Sequence, residues 1–241
     1  AGSSTVSNTD GSITSTVRAS ATSGFSIVSY TGNGSSSATV GHSLGVAPEM
    51  VIIKGRETTN GWSVYHKSLT SNYVVQLNST SAQFANSATS GGGTGTPTSS
   101  VLTFDSGTSN VDNVNKSSND FIAYCFAPVA GFSSFGSYEG NGNADGPFVA
   151  LSFRPALVIY KRIDSTADWF MADDKRDGAN GDTHDLYANR NYSENTGSYI
   201  DFLSNGFKIR TSVANRNASG GDFIYMAWAS NPFSSNGGLA R

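Results

Sequence analysis

Along the chain, apolar residues come in short runs separated by clusters of Gly, Ser, Thr and Asn. Phe25 to Thr31 alternates and ends on Gly32-Asn33-Gly34, whose Asn-Gly supplies the positive φ of a tight turn. Ala38 to Leu44 predicts a second strand. Met50-Val51-Ile52-Ile53-Lys54 is apolar on both faces, as is Ala156-Leu157-Val158-Ile159-Tyr160. Such runs predict strands in the middle of a sheet, covered on both sides. Gly61 to His66 alternates, which predicts one buried face. Tyr73 to Leu77, Val101 to Phe104 and Phe121 to Phe126 complete a first set. Tyr199 to Leu203, Phe207 to Thr211 and Phe223 to Trp228 belong to a second. Strands this short and this closely punctuated predict an all-β sandwich.

The pattern recurs. Gly24-Phe25-Ser26 returns as Gly131-Phe132-Ser133, and Ser29-Tyr30-Thr31-Gly32-Asn33-Gly34 as Ser137-Tyr138-Glu139-Gly140-Asn141-Gly142. Pro48 matches Pro155, Lys54 matches Lys161 and Trp62 matches Trp169, all at a spacing of 107. Asp120-Phe121-Ile122-Ala123-Tyr124 closes the first unit and Asp222-Phe223-Ile224-Tyr225-Met226 the second. The expectation is two tandem, pseudo-symmetric β-sandwich units of about 105 residues, jelly-roll or concanavalin-like, over 24–129 and 130–241. A single large sandwich with internal symmetry is the alternative. Residues 1–23 are expected to be an extended polar attachment segment. The first residues carry no initiator Met and no charged-then-apolar leader, as expected of a processed or trimmed end or of the start of a fragment.

Composition narrows the function classes. Ser, Thr, Asn and Gly make up about 45% of the 241 residues, and only 14% are charged. Long helices need Ala, Leu, Glu, Lys and Arg on their wet faces, so bundles and Rossmann-type folds are excluded. A net charge of −3 offers no basic footprint for nucleic acid. One cysteine, Cys125, allows no intrachain disulfide and reads as an inert buried thiol. No apolar run is long enough to cross a bilayer as a helix.

Candidate chemistry is sparse. Gly41-His42-Ser43-Leu44-Gly45 has the form of a nucleophile elbow, with His66 or His184 as base. That mechanism needs a helix after the Ser, and the sequence continues into another strand; a plain turn is the preferred reading. Among Asp164, Asp168, Asp173, Asp174, Asp177, Asp182 and Asp185, a glycosidase pair would need two carboxylates facing one cleft. Asp173 and Asp174 are adjacent and point to opposite faces of a strand. Asp177, Asn180 and Asp182, around Gly178 and Gly181, offer oxygen ligands for Ca²⁺ without EF-hand spacing, so a solvated loop is preferred. The three histidines have no zinc spacing. No catalytic residue, metal or cofactor is assigned. Lys54, Arg56, Lys161 and Arg162 are expected in surface ion pairs. The best binding candidates are two clusters for stacking a sugar, Trp62/Tyr65/His66 and Trp169/Asp173/Asp174. Against this stands the reading of both Trp as core landmarks.

The run Gly24 to Gly34, then Val40 to Pro48, Lys54-Gly55-Arg56, Trp62 to Lys67 and Asn119 to Ala127, resembles an uncharacterised domain family of tailed-bacteriophage virion proteins. The second unit carries the resemblance through Gly131 to Ser133, Gly140 to Phe148, Ile200 to Lys208 and Phe223 to Ala227. The resemblance implies a non-enzymatic tail-fibre, tail-associated or capsid-decorating protein, located on the virion or outside cells. Its implied partners are other virion proteins, further copies of itself (a trimer by analogy with fibres) and a host surface glycan, without nucleic acid or membrane insertion. A cellular lectin-like module or surface filament subunit is the alternative.

Overall fold

A computed structural model describes residues 2–86, 93–104, 111–176 and 184–231. The protein is nearly all β, as the alternating pattern predicts. It divides into two compact units, residues 1–79 with 83–128, and residues 80–82 with 129–241.

The first unit runs β1 (Val6–Asn8), β2 (Ser15–Ser20), β3 (Phe25–Thr31), β4 (Thr39–Gly41), β5 (Met50–Gly55), β6 (Ser63–His66), β7 (Tyr73–Gln76), β8 (Phe84–Ala85), β9 (Val101–Thr103), a single turn α1 (Asp112–Asn115), and β10 (Asp120–Phe126). Its large antiparallel sheet has the order β1-β2-β3-β10-β5-β6-β7-β8, and β4 and β9 form a small second sheet. Strict alternation on β3 and β10 sends Val28, Tyr30, Phe121, Ala123 and Cys125 to one face. There they meet Val40, Leu102 and Phe104 from the small-sheet side, with Val51 and Ile53 of β5. That inter-sheet layer is the core of a β-sandwich. Cys125 is buried, and burial pushes its thiol up to about 12, an unreactive group as expected.

One expectation needs correction here. Residues 1–23 contain β1 and β2, and β2 pairs in register with β3 from Thr16 opposite Ser29 to Ser20 opposite Phe25. Val17 is fully buried in the core. The segment is part of the sheet and not a free arm. Its Ser/Thr-rich alternation, with few apolar positions, hid two strands.

The second unit runs β11 (Ser133–Glu139), β12 (Phe148–Ala150), β13 (Pro155–Arg162), β14 (Trp169–Asp173), β15 (Asp185–Tyr187), β16 (Ile200–Leu203), β17 (Gly206–Ile209), a single turn α2 (Ala214–Asn217), and β18 (Asp222–Ala229). Its large sheet has the order β11-β18-β13-β14-β15, and its small sheet β12-β17-β16. Tyr138, Val158, Tyr160, Phe170, Phe223 and Tyr225 pack against Phe202, Phe207 and Ile209. The central strand β18 is buried on both faces from Phe223 to Ala227, which explains its unbroken apolar run.

In each unit an asparagine in the single helical turn holds the loop after the first long strand. Asn115 accepts from the Asn33 N–H (3.0 Å) and donates to Asn33 Oδ1 (2.9 Å) and Ser35 O (2.8 Å). Asn217 accepts from the Asn141 N–H (2.9 Å) and donates to Asn141 Oδ1 (3.0 Å) and Asn143 O (2.8 Å). The hydroxyls of Tyr30 and Tyr138 donate to the carbonyls of Val114 and Arg216. Gly32 and Gly140 pass so close to the carbonyls of Lys116 and Ala218 that a Cβ would collide with them. The Gly-Asn-Gly signal thus marks a loop clamped by a buried amide.

Candidate functional site

The first unit carries an open cleft of about 720 Å³. One wall comes from Tyr65 and His66 at the end of β6, with the Lys67–Tyr73 connection to β7. The other comes from Thr94 to Thr96 and Thr103 on β9. The Thr70 carbonyl accepts from the Tyr73 N–H (2.9 Å), and Asn72 takes the left-handed region at φ 63°. This tight turn presents Thr70, Ser71 and Asn72 on the rim. Opposite, the Gly95 N–H donates to Thr103 O (2.9 Å) and Thr103 Oγ1 to Thr96 O (3.2 Å), which fixes that wall.

Inside, Tyr65 is half-buried; burial raises its phenol above the usual value, and a hydrogen bond with Thr96 pulls the other way. The Nδ1 of the buried His66 accepts from the Ser68 N–H (3.1 Å). Among the described lining residues Lys67 is the one Lys or Arg, and Glu49 pairs with it at 2.8 Å. Among the described residues no carboxylate lines the cleft. What remains is a neutral surface of hydroxyls and one carboxamide, with two phenol rings, Tyr65 and Tyr73. Such groups suit a polyol, whose hydroxyls need paired donors and acceptors and whose C–H faces need an apolar ring.

Of the sequence candidates, the structure brings Tyr65 and His66 into this cleft and leaves Trp62 outside its lining. Trp62 is half-buried, and its N–H donates to Asn78 Oδ1 (2.9 Å). Trp169 is fully buried, with its backbone N–H donating to Asn189 Oδ1 (2.9 Å) and Lys161 Nζ 5.8 Å from its ring centroid. It cannot stack a sugar, so the Trp169/Asp173/Asp174 cluster is not a platform. Asp173 is occupied by Arg176 (2.7 Å) and by the amides of Lys175 and Arg176; Asp174 pairs with Lys175 (3.2 Å). Leu69 to Tyr73 and Thr94 to Thr96 escaped the sequence reading because they look like ordinary polar turns. The aromatic Tyr73 at a strand start was the one available signal.

The elbow motif takes the plain reading. His42 is fully buried; its Nε2 donates to Thr98 O (3.2 Å) and its Nδ1 accepts from the Leu44 N–H (3.2 Å). Burial lowers its pKa, while the bond to Thr98 and the charge of Asp10 oppose this. Ser43 Oγ accepts from Asn8 Nδ2 (2.9 Å), and β5 follows without a helix. His184 is held by Glu194 (2.6 Å). The proposed Ca²⁺ ligands Asp177, Asn180 and Asp182 lie outside the described residues. Among the described residues, no group of three or more His, Cys, Asp or Glu is placed to hold a metal ion.

Three basic residues need their roles stated. Arg162 forms the expected ion pair, with Asp164 at 2.7 Å. Lys54 instead donates to the carbonyls of Gly55 and Thr58, both at 2.7 Å. Lys161 is fully buried and donates to the carbonyls of Ala167 (2.6 Å) and Thr80 (3.2 Å). Both lysines donate to backbone carbonyls, and among the described residues neither forms the surface ion pair expected of it. Asp185, the last of the acidic residues singled out in the sequence, is also fully buried, and it pairs with Arg216 at 2.9 Å.

Fold and cleft together define an all-β protein of sandwich units, the first of which presents an open neutral groove. The chain belongs to the family described as a domain of unknown function, DUF7483, which matches residues 1–232. Neither a curated protein nor a solved structure matches it.

Proposed function

We propose that this chain is a non-enzymatic surface protein of a tailed-bacteriophage particle, in a tail-fibre, tail-associated or decorating position. Its first unit contacts a neutral saccharide of the host surface in the Tyr65–Tyr73 cleft. The observation that carries the binding half is the cleft lining: hydroxyls, a carboxamide and two phenol rings, with Lys67 already paired. The virion half is supported by the sequence resemblance, which extends over both units. The repeated sequence pattern and the recurring asparagine clamp support an origin by duplication. A cellular carbohydrate-binding module would use the same cleft in the same way.

Two measurements test the reading. Mass spectrometry of purified particles is expected to find the chain, and its absence from particles removes the virion role. A glycan array is expected to show binding to uncharged saccharides, weakened at least about tenfold in Tyr73→Ala at unchanged thermal stability. Equal binding by wild type and Tyr73→Ala removes the cleft from the proposal.

A further inference from the structure

Four Asn-Gly pairs lie among the described residues, at 33–34, 60–61, 141–142 and 205–206; the pairs at 180–181 and 236–237 lie outside them. Such a pair can modify itself, because a glycine has no side chain to keep its nitrogen from the asparagine Cγ. The attack needs a glycine N–H free to lose its proton and a carboxamide free to turn toward it. Ranked by exposure, Asn33-Gly34 and Asn141-Gly142 come first, since both residues of each are exposed, whereas Asn60-Gly61 is half-buried. Hydrogen bonding reverses that order.

At the two exposed pairs the asparagine clamp holds the groups the attack needs. The Gly34 N–H donates to Asn115 O (2.9 Å) and the Gly142 N–H to Asn217 O (2.8 Å). Asn33 Oδ1 accepts from the Ser35 N–H (3.0 Å) as well as from Asn115, and Asn141 Oδ1 from the Asn143 N–H (3.0 Å) as well as from Asn217. Those donors polarise the carboxamide, but they also fix its orientation. At 205–206 the strand ladder takes over. Gly206 opens β17 opposite Leu203, across a two-residue turn, and Asn205 O accepts from the Leu151 and Ser152 N–H groups (2.9 and 3.2 Å). Residues 58–62 belong to no helix or strand. There, among the described residues, no acceptor takes the Gly61 N–H, and the Asn60 side chain makes a single hydrogen bond, from Nδ2 to Asp112 O (3.1 Å).

We propose that Asn60-Gly61 is a self-modification site, at which the asparagine is converted to aspartate and isoaspartate. The Gly61 nitrogen bonds to Asn60 Cγ and gives up its proton, which solvent delivers to the departing amide nitrogen. The Cγ–Nδ2 bond breaks, ammonia leaves and a succinimide ring closes. Water then opens the ring. Cleavage between Cγ and the nitrogen gives aspartate; cleavage between the backbone carbonyl carbon and the nitrogen gives isoaspartate, with the chain running through Cγ. In sum one water is consumed and one ammonia released, and nothing is oxidised or reduced. Either product puts a carboxylate where a donor stood. Asp112 opens α1, whose Val114 and Asn115 are fully buried, and its carbonyl loses the Asn60 donor and faces a negative charge instead. The modification therefore unties the 58–62 loop from α1, while the clamp shields the two exposed pairs. This goes beyond the proposed function and does not depend on the cleft.

The test is a time course of the full chain in warm, mildly alkaline buffer, read by peptide mass spectrometry, with isoaspartate marked by isoaspartyl methyltransferase. The same chain in urea gives the rate of each pair without structure. Relative to that rate, Asn60 is expected to convert at least about tenfold faster than Asn33, Asn141 or Asn205, since each hydrogen bond that must open first slows the step by roughly that factor. Asn217→Ala is expected to raise the rate at Asn141 several-fold and to leave Asn60, in the other unit, unchanged. Asn60→Gln, whose longer side chain would need a larger ring, is expected to stay intact at that position. Its α1 amides keep their hydrogen-exchange protection through the time course, while those of wild type lose part of it. Conversion at Asn33 or Asn141 as fast as at Asn60 overturns the proposal, as does protection of Asn60, relative to urea, equal to that of Asn33. An Asn217→Ala chain that keeps its fold by circular dichroism and leaves Asn141 as slow as in wild type overturns the shielding by the clamp.

Discussion

The two sandwich cores fill the same place with opposite chemistry. In the first unit Val114 precedes the clamping Asn115 and is fully buried; in the second, Arg216 precedes Asn217. By strand register Val74 of β7 stands where Asp185 stands on β15. The first unit thus has Val and Val where the second has Arg and Asp. The Arg216 guanidinium bonds Asp185 at 2.9, 3.1 and 3.2 Å and lies between the rings of Phe170 and Tyr199, 3.8 and 3.9 Å from their centroids. One strand plan therefore accepts two buried valines or a buried ion pair at these two positions. The ionic version is geometrically more demanding without being worth more, because desolvation offsets most of the attraction.

Breaking the ion pair gives the largest effect. Asp185→Ala strands a buried guanidinium and is expected to cost about 3–5 kcal/mol, against about 2 kcal/mol for Val74→Ala, by urea denaturation. Importing the first unit's residues as Asp185→Val with Arg216→Val is expected to recover most of that loss. If the double variant is less stable than Asp185→Ala alone, the two cores are not interchangeable.

The two lysines at matched positions give the next contrast. Burial lowers the Lys161 pKa from 10.5 to about 8, with the charge of Asp168 opposing. Between pH 8 and 10.5 the unfolded chain binds more protons at this site than the folded one, so stability rises with pH there, by at most about 3 kcal/mol. Because the buried Cys125 thiol contributes in the opposite sense above about pH 9, the test is a difference: across that window wild type and Lys54→Met are expected to gain stability relative to Lys161→Met by urea denaturation.

Removing the shared clamp is expected to cost about 2 kcal/mol in either unit, since each fully buried amide makes several hydrogen bonds to the loop. Asn217→Ala deprives Asn143 O and Thr211 O of a donor, and Asn115→Ala deprives Ser35 O. Amide exchange at Asn141 and Asn33 respectively reports the loosening. The smallest effect lies at a left-handed position, Ser118 at φ 61° in the first unit and Gly220 at φ 67° in the second. Ser118→Gly is expected to raise the thermal midpoint slightly, by about 0.5 kcal/mol of stability, because glycine's gain at positive φ exceeds its entropic cost.

The parts legible in the sequence were those where burial writes a pattern. β5 and β13 were visible because both faces are covered, and β3 because one is. β1 and β2 were not, because their polar residues lie at an edge, where no apolar pattern is required. The cleft was half legible: Tyr65 and His66 sit on a patterned strand, while Thr70 to Tyr73 and Thr94 to Thr96 are turns whose composition is the same wherever they lie. Trp62 and Trp169 are equivalent in sequence and in their backbone contacts, yet only Trp169 is sealed. Burial depends on neighbours distant in the chain, which a local motif does not contain. The buried Asp185 was hidden for the same reason, since its partner Arg216 is 31 residues away.

The placement of β10 and β18 bears on how the chain is made. Each is the last described strand of its unit, and each lies between β3 and β5 or between β11 and β13. A nascent chain emerging from the ribosome holds β3 and β5 apart, with unsatisfied edges facing the same gap, until residues 120–126 arrive. The second unit waits in the same way for residues 222–229. Assembly of each sheet is therefore gated by the end of its unit and not by its beginning, a long-range closure that slows folding. A chain truncated before residue 222 is therefore expected to keep a protease-resistant first unit and to lose the second.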